Sequence, residues 1–336
     1  MIKLAINGFG RIGRAAFKIA LEREDIEIVA LNDLTDNETL AHLLKYDTVY
    51  GTYPKEIKGT EEGIKVDGNL FRVWEEKEPE KLPWKDLGVD VVLECTGKFR
   101  KVEDAELHLK AGAKQVILSA PAKGEGVNSF VIGVNDEEFD SQKDKIVSNA
   151  SCTTNSVAPV MKVLNEAFGV KKAMLTTIHS YTADQNLIDG PHKDLRRARA
   201  AAQNIVPTST GAAKATGETI PDLKGKFDGM AVRVPTIDVS LSDLTVLLNK
   251  EVTEEEVNKE FKKAAKNSRY KGILAVTEEP LVSSDFIKNN HSTIVDLSLT
   301  KVVDKDLLKV IAWYDNEWGY ACRLVELAEK LGKKGK

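Results

Sequence analysis

Three glycines near the amino terminus constrain the fold more than any other stretch of the sequence. Gly8, Gly10 and Gly13 form G-x-G-x-x-G between an apolar run, IKLAIN (2–7), and a helical pattern that begins at Arg11. In such a unit the first glycine permits a tight turn, the second lets the backbone approach a pyrophosphate, and the third allows the helix to pack closely. The helix N-terminus then faces the phosphates with its N–H groups. The stretch therefore predicts a strand–turn–helix unit that binds a dinucleotide.

An aspartate extends this fingerprint. Asp33 ends the next apolar run, IEIVALND (26–33), and 33 minus 13 places it 20 positions after Gly13. A carboxylate there can accept hydrogen bonds from the adenosine ribose hydroxyls and repels the 2′-phosphate of NADP. Glycine-rich turns without ligands are common, and a strand-end aspartate can simply cap a turn. The complete unit favours NAD as the cofactor.

Short apolar runs alternate with helical patterns through residues 1–150. Further strand-like runs lie at 89–97, 114–121 and 130–134, and a helical pattern at 103–113 ends at Gly112. Near-continuous apolar strands alternating with helices indicate a parallel sheet covered on both faces. We therefore expect an N-terminal NAD-binding domain over 1–150, an α/β domain with a Rossmann-type, doubly wound parallel sheet.

The pattern changes after residue 150. Longer strand-like runs at 171–182, 229–249 and 307–315 are grouped with few helices, one of which begins with a capping box of Thr253 and Glu256. This predicts an α+β catalytic domain over 151–316 with a mostly antiparallel sheet. An irregular loop, about 180–205, is long enough to suggest a function.

The amphipathic pattern near the carboxyl terminus, RLVELAEKLG (323–332), could pack on either domain. We assign a C-terminal helix over 317–336 to the NAD-binding domain.

Composition narrows the classes of function. The chain has 336 residues, a net charge of -4 and three widely spaced cysteines, with a pI near 5.9. The charge offers no general attraction to nucleic acid or anionic lipid. There is no C-x-x-C pattern for a disulfide framework or a zinc site, no secretory signal, and no apolar run of about 18 residues. We expect a cytoplasmic protein without a metal, a membrane segment or a nucleic-acid partner.

One cysteine lies in an unusually polar segment, SNASCTTNS (148–156). Cys152 starts a helical pattern, and a helix N-terminus together with a nearby imidazolium lowers a thiol pKa. Ser151 and Thr153 are then donors for a polar substrate. His179, within the strand-like TTIHSYT, is the candidate base if the fold brings it to Cys152. The alternatives are an incidental cysteine in a helix cap and a structural histidine.

Cationic residues and hydroxyls suggest anion binding. Arg197 lies in DLRRARA, Arg233 interrupts the apolar MAVRVP, and Thr210 and Gly211 lie in PTSTGAAKA. The guanidinium group of arginine binds phosphate through paired hydrogen bonds, and hydroxyl and backbone N–H groups can donate further hydrogen bonds to the phosphate. Taken singly, a salt bridge explains Arg233, a solvated face explains the arginine run, and a helix cap explains Thr210 better than anion binding does.

Several long motifs occur together in order: INGFGRIGR, LNDLTD, HLLKYDTVYG, SNASCTTN, HKDLRRARAAAQNIVPTSTGAAKA, MAVRVPT and WYDNEWGY. With them the chain resembles phosphorylating glyceraldehyde-3-phosphate dehydrogenase over essentially its full length, and most closely the bacterial type. The departures are small. Cys95 stands where the family often has serine, and PTID (235–238) replaces the commoner Pro-Thr-Pro-Asn.

The resemblance implies an NAD-dependent oxidoreductase of glycolysis and gluconeogenesis. It would convert glyceraldehyde 3-phosphate and inorganic phosphate to 1,3-bisphosphoglycerate through a thioester on Cys152, with His179 as base. Besides the three glycines, the implied cofactor contacts are Arg11, Ile12, Asp33, Lys77, Ser119 and Asn316. The implied substrate and phosphate contacts are Ser151, Thr153, Thr182, Arg197, Thr210, Gly211 and Arg233. A homotetramer is also implied, with the 180–205 segment, the S-loop of this family, crossing a subunit interface.

Three alternatives remain at this stage. Erythrose-4-phosphate dehydrogenases share the cysteine motif but look different at Asp33 and in STGAAKA. A CoA-acylating or semialdehyde dehydrogenase also uses cysteine and a nicotinamide cofactor, without the RRAR and STGAAKA segments. A binding protein that uses the dinucleotide fold for RNA or redox sensing gains no support from the net charge of -4.

Overall fold

The computed structural model describes residues 1–334 and divides into two compact units. The first comprises Met1–Phe130, Glu137–Ala150 and the chain from Ala321 on, and the second comprises Val131–Asp136 and Ser151–Tyr320. Positions 335 and 336 of the helix expected over 317–336 lie outside the described residues. Short 3-10 turns connect many of the elements in both units.

The first unit alternates strands and helices along the chain. Its strands are β1 (Ile2–Asn7), β2 (Ile26–Asn32), β3 (Tyr46–Asp47), β4 (Gly51–Thr52), β5 (Ile57–Thr60), β6 (Gly63–Val66), β7 (Asn69–Trp74), β8 (Val91–Glu94), β9 (Gln115–Leu118), β10 (Asn128–Ser129) and β11 (Ile146–Ser148). Its helices are α1 (Arg11–Ala20), α2 (Asn37–Lys45), α3 (Trp84–Leu87) and α4 (Val102–Lys110).

A nine-stranded sheet forms the centre of this unit, in the order β10-β11-β9-β8-β1-β2-β7-β6-β5. The pairs from β10 to β7 are parallel, whereas β5, β6 and β7 form antiparallel hairpins. β8 and β9 are buried along their whole length, because parallel strands covered on both faces have no solvated side. The mostly parallel sheet confirms the fold class expected for the first half.

The glycine motif has the local geometry that its sequence predicts. Gly8 has φ +93°, which an L side chain rarely adopts, and a Cβ there would lie 2.6 Å from Thr96 N. A Cβ on Gly13 would lie 2.1 Å from the carbonyl oxygen of Gly8, whereas one on Gly10 would meet no atom within 4 Å. The absence of a side chain at Gly13 therefore lets α1 begin directly against the turn that follows β1.

The chain from Ala321 on forms most of α8 (Trp318–Lys334). Within the first unit, a Cβ on Gly332 would lie 2.6 Å from Ile2 Cγ2. Lys333 Nζ lies 2.7 Å from an oxygen of Asp25. The helix thus contacts the first residue of β1 and the residue just before β2.

The second unit contains the longer strands. They are β12 (Val170–Ser180), β13 (Val206–Ser209), β14 (Phe227–Val234), β15 (Ser240–Leu248), β16 (Leu274–Thr277), β17 (Thr293–Asp296), β18 (Lys301–Val303) and β19 (Leu307–Tyr314). Its helices are α5 (Cys152–Phe168), α6 (Ala212–Thr219), α7 (Glu254–Ala265) and the first turn of α8.

Its sheet is mostly antiparallel, as expected. The strand order is β13-β14-β12-β15-β19-β17-β16, with β18 paired to β19. Only β12 with β14 and β16 with β17 are parallel among the described pairs of this sheet. α5 is buried through most of its length and runs through Pro159 without interruption. The capping box of Thr253 and Glu256 at α7 is confirmed.

Two strand expectations are wrong. The run at 130–134 is a turn, because Asn135 accepts the N–H of Val131 and Asp136 accepts the N–H of Gly133. The side chains of Asn135 and Asp136 thus accept hydrogen bonds from N–H groups that, in a strand, would donate to a neighbouring strand. The run at 229–249 is two strands, β14 and β15, separated by a bend around Pro235, whose nitrogen has no hydrogen to donate.

No helix among the described residues is long and apolar enough to cross a membrane.

The glycine geometry predicts an asymmetric response to alanine. Gly13→Ala places a methyl group against the carbonyl of Gly8, so we expect it to lower the free energy of unfolding by about 1–3 kcal/mol, the usual cost of overpacking. Gly10→Ala meets open space and should change the free energy of unfolding far less. Urea unfolding of both variants measures the difference, and an equal loss in the two would contradict the close contact.

Candidate active site

The second unit brings the lone polar thiol to the strand histidine. Cys152 is the first residue of α5 and His179 the next-to-last residue of β12. Cys152 Sγ lies 3.5 Å from His179 Nε2, a contact that the sequence could not establish. This distance allows a proton to pass between sulfur and nitrogen.

The imidazole is oriented by its other nitrogen. His179 Nδ1 lies 2.7 Å from the carbonyl oxygen of Ser180. Since a carbonyl only accepts hydrogen bonds, Nδ1 carries the hydrogen of the neutral ring. The lone pair of Nε2 is thereby left to accept the proton of the Cys152 thiol.

Burial opposes charge on either member of this pair. Burial raises the pKa of the Cys152 thiol, and the nearby Arg233 cation and the N–H groups at the start of α5 oppose that rise. Burial and then Arg233 lower the pKa of His179 to about 3. The lowered thiol pKa expected from the sequence is therefore wrong, because burial outweighs the groups that favour the thiolate. Moving one proton from Sγ to Nε2 creates two opposite charges in contact, and each then stabilises the other.

A buried tyrosine links α5 to the sheet beneath the thiol. Tyr314 Oη lies 2.9 Å from Thr153 Oγ1 and 2.9 Å from Thr177 Oγ1. Its ring packs edge-on against His179, with centroids 6.1 Å apart. Burial, then the charge of Cys152, raises the pKa of Tyr314, so it stays a neutral phenol that holds the start of α5 in place.

Two predicted substrate contacts have structural roles here. Ser151 is the N-cap of α5, since its Oγ accepts the N–H of Thr154 at 3.0 Å. The hydroxyl of Thr153 bonds Tyr314. The helix-cap alternative for Ser151 is thus observed, and both residues support the position of Cys152. As first-turn residues of α5, Cys152 and Thr153 have backbone N–H groups without intrahelical acceptors.

The two candidate phosphate arginines share one carboxylate. Arg197 Nη1 lies 2.5 Å from Asp184 Oδ2, and Arg233 Nη1 lies 3.8 Å from Asp184 Oδ1. Arg233 also donates to Thr182 Oγ1 at 2.6 Å. Burial tends to raise the pKa of Asp184, but its bond to Thr182 and the two cations outweigh burial and lower the pKa. Thr182, Arg197 and Arg233 therefore form one cluster.

The predicted hydroxyl segment adjoins this cluster. Arg197 Nε donates to Thr208 Oγ1 at 3.0 Å, and its Nη2 to the carbonyl of Ser209 at 3.4 Å. Thr210 Oγ1 accepts the N–H of Ala212 at 3.2 Å, and Gly211 immediately precedes α6. The hydroxyl of Thr210 thus supports the turn into α6, whereas the N-cap of that helix is Gly211, without a side-chain cap.

The first unit contains a cavity of about 790 Å³ at the carboxyl ends of β1, β2 and β8. Gly8, Gly10, Asp33, Lys77 and Cys95 line it together with Asn7, Asn32, Thr96 and Phe99. Cavities of roughly 300–1,000 Å³ are typical of binding sites for small molecules and cofactors. The first turn of α1 has no side-chain cap, so its N–H groups suit phosphate oxygens. The residues present fit NAD.

The carboxylate of Asp33 is fixed by the turn that it closes. Its Oδ2 accepts the N–H of Phe9 at 2.7 Å, and its Oδ1 accepts the N–H of Thr35 at 3.0 Å. The guanidinium of Arg11 lies 3.1 Å from Asp47. Arg11 and Ile12 form the first turn of α1, so their backbone N–H groups are the part of these residues suited to a pyrophosphate.

Two other predicted cofactor residues, Ser119 and Asn316, lie elsewhere in the structure than the glycine motif. Ser119 follows β9, and its side chain hydrogen-bonds Cys95. Burial and Glu94 raise the pKa of Cys95 to about 12, so this thiol stays protonated. Asn316 belongs to the second unit, where its Oδ1 accepts a hydrogen bond from Ser240 Oγ at 2.7 Å. The amide nitrogen of Asn316 is therefore the end available as a donor.

Across the described part of the chain, no group of three or more His, Cys, Asp or Glu side chains could hold a metal ion.

Comparisons with known proteins cover both units. Residues 2–102 match the family model "Glyceraldehyde 3-phosphate dehydrogenase, NAD binding domain", and residues 151–316 match "Glyceraldehyde 3-phosphate dehydrogenase, C-terminal domain". The chain belongs to the glyceraldehyde 3-phosphate dehydrogenase family. Its N-terminal part is the NAD-binding domain of that family.

Relatives match this family member from end to end. Glyceraldehyde-3-phosphate dehydrogenase 1 of Bacillus cereus is 56% identical over 335 residues, covering 100% of both chains. Glyceraldehyde-3-phosphate dehydrogenase of Geobacillus stearothermophilus is 54% identical, covering 99% of both chains. That of Borreliella burgdorferi is 54% identical, covering 99% of this chain and 100% of its own. The resemblance to the bacterial type is confirmed.

Sequence reasoning missed two residues of the site. Asp184 joins the two arginines, and Tyr314 supports Cys152 and His179. Asp184 follows His179 within the same loop as the arginine run, and Tyr314 lies in the quoted WYDNEWGY. A search for carboxylates between the histidine and the arginines would have found the first of them.

The electrostatics of the thiol predict a shift on removal of Arg233. Arg233→Gln removes the cation that favours the thiolate, so we expect the pKa of Cys152 to rise further, by about one unit. The pH dependence of the alkylation rate by iodoacetamide measures this shift. Arg199→Gln is the matched control, since Arg199 pairs with Asp189 in an exposed salt bridge. An identical pH profile in Arg233→Gln and the native protein would contradict the electrostatic role.

Proposed function

We infer that the chain oxidises glyceraldehyde 3-phosphate with NAD+ and inorganic phosphate to give 1,3-bisphosphoglycerate, in glycolysis and gluconeogenesis. The contact of 3.5 Å between Cys152 Sγ and His179 Nε2 supports this most directly, because the reaction needs a thiol with an adjacent base. The match over the full length to bacterial glyceraldehyde-3-phosphate dehydrogenases, 56% and 54% identical, supports the substrate.

Cys152 is the proposed nucleophile and His179 its base. Nε2 takes the thiol proton as sulfur forms a bond to the aldehyde carbon, and the carbonyl oxygen becomes an oxyanion. Protonated Nε2 and the first N–H groups of α5 can donate hydrogen bonds to that oxygen. Because burial disfavours an isolated imidazolium, the developing oxyanion and thiolate supply the opposite charge that stabilises it.

Bound NAD+ supplies the hydride acceptor that converts the sulfur-bound carbon to a thioester. Inorganic phosphate then attacks the thioester carbon, the C–S bond breaks, and the thiolate of Cys152 leaves. The acyl phosphate is released, and the thiolate recovers its proton from His179.

Two phosphate groups must be bound in this reaction. We assign Arg197, Arg233 and Thr182 to them, since these side chains already surround the carboxylate of Asp184. Ser151, Thr153, Thr210 and Gly211 contribute as the residues at the starts of α5 and α6, through backbone donors as well as hydroxyls. Which arginine serves which phosphate is left to measurement.

The cofactor residues act by positioning and selection. Gly8, Gly10 and Gly13 let the start of α1 approach the pyrophosphate, with Arg11 and Ile12 in that first turn. Asp33 accepts from the adenosine ribose and disfavours a 2′-phosphate. Lys77 and Ser119 serve the adenine side, and Asn316, anchored by Ser240, donates to the nicotinamide amide.

We propose a homotetramer in which the 180–205 segment lies at a subunit interface. Four large apolar side chains of that segment are 71–81% exposed, namely Leu187, Ile188, Leu195 and Ile205 where it adjoins β13. Met174 and Met230 on the sheet are also exposed. Protein surfaces that expose many large apolar groups usually bind another protein. Sedimentation equilibrium measures the number of subunits.

We place the enzyme in the cytoplasm with its cysteines reduced. Cys95, Cys152 and Cys322 are all free thiols, and a nucleophilic thiol must stay reduced to act.

The substrate assignment predicts a strict set of requirements. NAD reduction should proceed with glyceraldehyde 3-phosphate and inorganic phosphate, and should stop after at most one turnover per site when phosphate is omitted. Erythrose 4-phosphate should react far more slowly, and CoA should not replace phosphate. Absorbance of NADH at 340 nm follows all four reactions. Faster turnover with erythrose 4-phosphate or with CoA would assign the chain to one of the alternatives.

The roles of the thiol and the imidazole are separable. Cys152→Ala should abolish turnover while NAD binding, measured by tryptophan fluorescence, persists. His179→Asn retains the nucleophile, so it should slow acylation by about 10²–10⁴-fold, the usual contribution of a general base. Full turnover by Cys152→Ala would eliminate the nucleophile assignment, and an unchanged burst rate in His179→Asn would eliminate the base.

A further inference from the structure

A buried pair of carboxyl groups lies close in sequence to the proposed site residues and takes no part in the proposed reaction. Asp238 and Asp315 are each 1% exposed. Their side chains hydrogen-bond to each other. Two carboxylates in contact without water cannot both be ionised at low cost, so such a pair shares one proton.

The hydrogen bonds identify the member that holds the proton. Asp315 Oδ1 accepts the backbone N–H groups of Glu317 at 2.9 Å and Trp318 at 2.6 Å. Its Oδ2 accepts the N–H of Lys288 at 2.7 Å. Three N–H donors stabilise the ionised form. Asp315 is therefore the carboxylate, and Asp238 is the acid that donates to it.

The charged groups that face Asp238 are both anionic. They are Asp315 and Glu317, in the turn between β19 and α8. Lys288 contributes its backbone N–H to Asp315, while its ammonium lies over the ring of Trp318, 5.1 Å from the centroid. Burial and then these two anions raise the pKa of Asp238 to about 8.

The pair adjoins the hydrogen bonds that orient the site. Asp315 directly precedes Asn316, and Asp238 stands two residues before Ser240. Ser240 Oγ donates to Asn316 Oδ1 at 2.7 Å and accepts the N–H of Ser180 at 3.1 Å.

Ser180 carries this arrangement to the proposed base. The carbonyl of Ser180 lies 2.7 Å from Nδ1 of His179, the contact that fixes the tautomer. A shift of the Ser240 side chain would therefore alter the hydrogen bonds that orient both Asn316 and His179.

A strained residue lies between the acid and Ser240. Val239 has φ +66° and is 2% exposed, a left-handed conformation that β-branched residues rarely adopt. Its carbonyl accepts the hydroxyl of Ser180 at 2.7 Å. Such a conformation persists only where its surroundings hold it, and here the acid of Asp238 and the hydroxyl of Ser240 flank it on either side.

We propose that Asp238 and Asp315 are positioning residues that hold Asn316 and His179 in their orientation while they share one proton, and that alkaline loss of this proton to solvent loosens that orientation. The functional part rests on the proposed roles of Asn316 and His179.

The shared proton is directly observable. Infrared difference spectra between the native protein and Asp238→Asn should show the carbonyl stretch of a protonated carboxylic acid, and this band should titrate away near pH 8. Asp243→Asn is the matched control on β15, because Asp243 pairs with Lys309 and accepts its ammonium at 2.7 Å. A spectrum of the native protein alone that does not change in this region between pH 6 and about pH 9.5 would overturn the proposal without use of any variant.

Thermal stability gives a second measurement. A carboxyl whose pKa is raised on folding contributes stability that is lost as the pH rises through the folded value. Between about pH 4 and pH 8, the Tm of the native protein should therefore fall relative to the Tm of Asp238→Asn. Above about pH 8, the difference between the two Tm values should stay constant. Parallel Tm profiles in the two proteins would overturn the shared proton.

The positioning role is tested by cofactor affinity. The Kd for NAD+, from tryptophan fluorescence, should rise by about fivefold or more between pH 7 and about pH 9.5 in the native protein, at the lower end of usual coupling between sites. In Asp238→Asn, whose amide donates to Asp315 at every pH, the rise should be absent. Since Cys152 titrates in both proteins, the difference isolates Asp238. An equal rise in both would overturn the positioning role.

Failure of the proposed cofactor role has a different signature. If Asn316→Ala binds NAD+ as tightly as the native protein, the assignment of Asn316 is wrong, whereas the infrared band and the Tm difference still report on the carboxyl pair. The two failures are therefore distinguishable.

Discussion

The contact between the sulfur of Cys152 and the ring of His179 depends on where two elements of the second unit end. α5 begins at Cys152 because Ser151 caps it, and β12 ends at Ser180, whose carbonyl oxygen binds Nδ1. Tyr314 then joins α5 to β12 through two threonine hydroxyls. A thiol and a base separated by 27 positions in sequence are thus held 3.5 Å apart by ordinary capping and strand contacts.

The register between β12 and β14 determines where the positive charge of this site lies. β12 and β14 pair in parallel, with His179 opposite Arg233. Strand periodicity alone does not explain an arginine in an apolar strand. Its position in the register places a cation near both the thiol and the imidazole. Arg233 favours the thiolate and disfavours the imidazolium. Its effect on the nucleophile is the useful one, whereas its effect on the base must be offset by the charges that develop during the reaction.

Local sequence predicted the elements whose signals are local. The G-x-G-x-x-G turn, the capping box at Thr253 and the alternation of strands and helices all rest on contacts between near neighbours. The run at 130–134 failed because Asn135 and Asp136 compete for the strand's N–H groups. The pairing of Cys152 with His179 could not be predicted by spacing, because it depends on how α5 packs against the sheet. Only the family resemblance implies this pair from the sequence.

The pKa of Cys152 was misjudged for a related reason. Sequence indicates a helix N-terminus, which lowers a thiol pKa, but it does not reveal burial, which here is the larger effect. The same holds for Asp238, an ordinary loop aspartate by sequence whose environment makes it an acid with a pKa of about 8.

Asp184 offsets part of the positive charge of the cluster that Arg197 and Arg233 form. Two buried or half-buried guanidinium groups would repel each other, and the shared carboxylate offsets that repulsion. Burial is the largest cause of the lowered pKa of His179; Arg233 lowers it further and Asp184 raises it, so the net charge of this cluster adjusts the basicity that burial imposes. On the proposed function, a bound phosphate adds negative charge to the cluster. By the same Coulomb effect it favours the imidazolium of His179 but disfavours the thiolate of Cys152, so the retained charge of Arg233 beside the thiol is what keeps the nucleophile accessible.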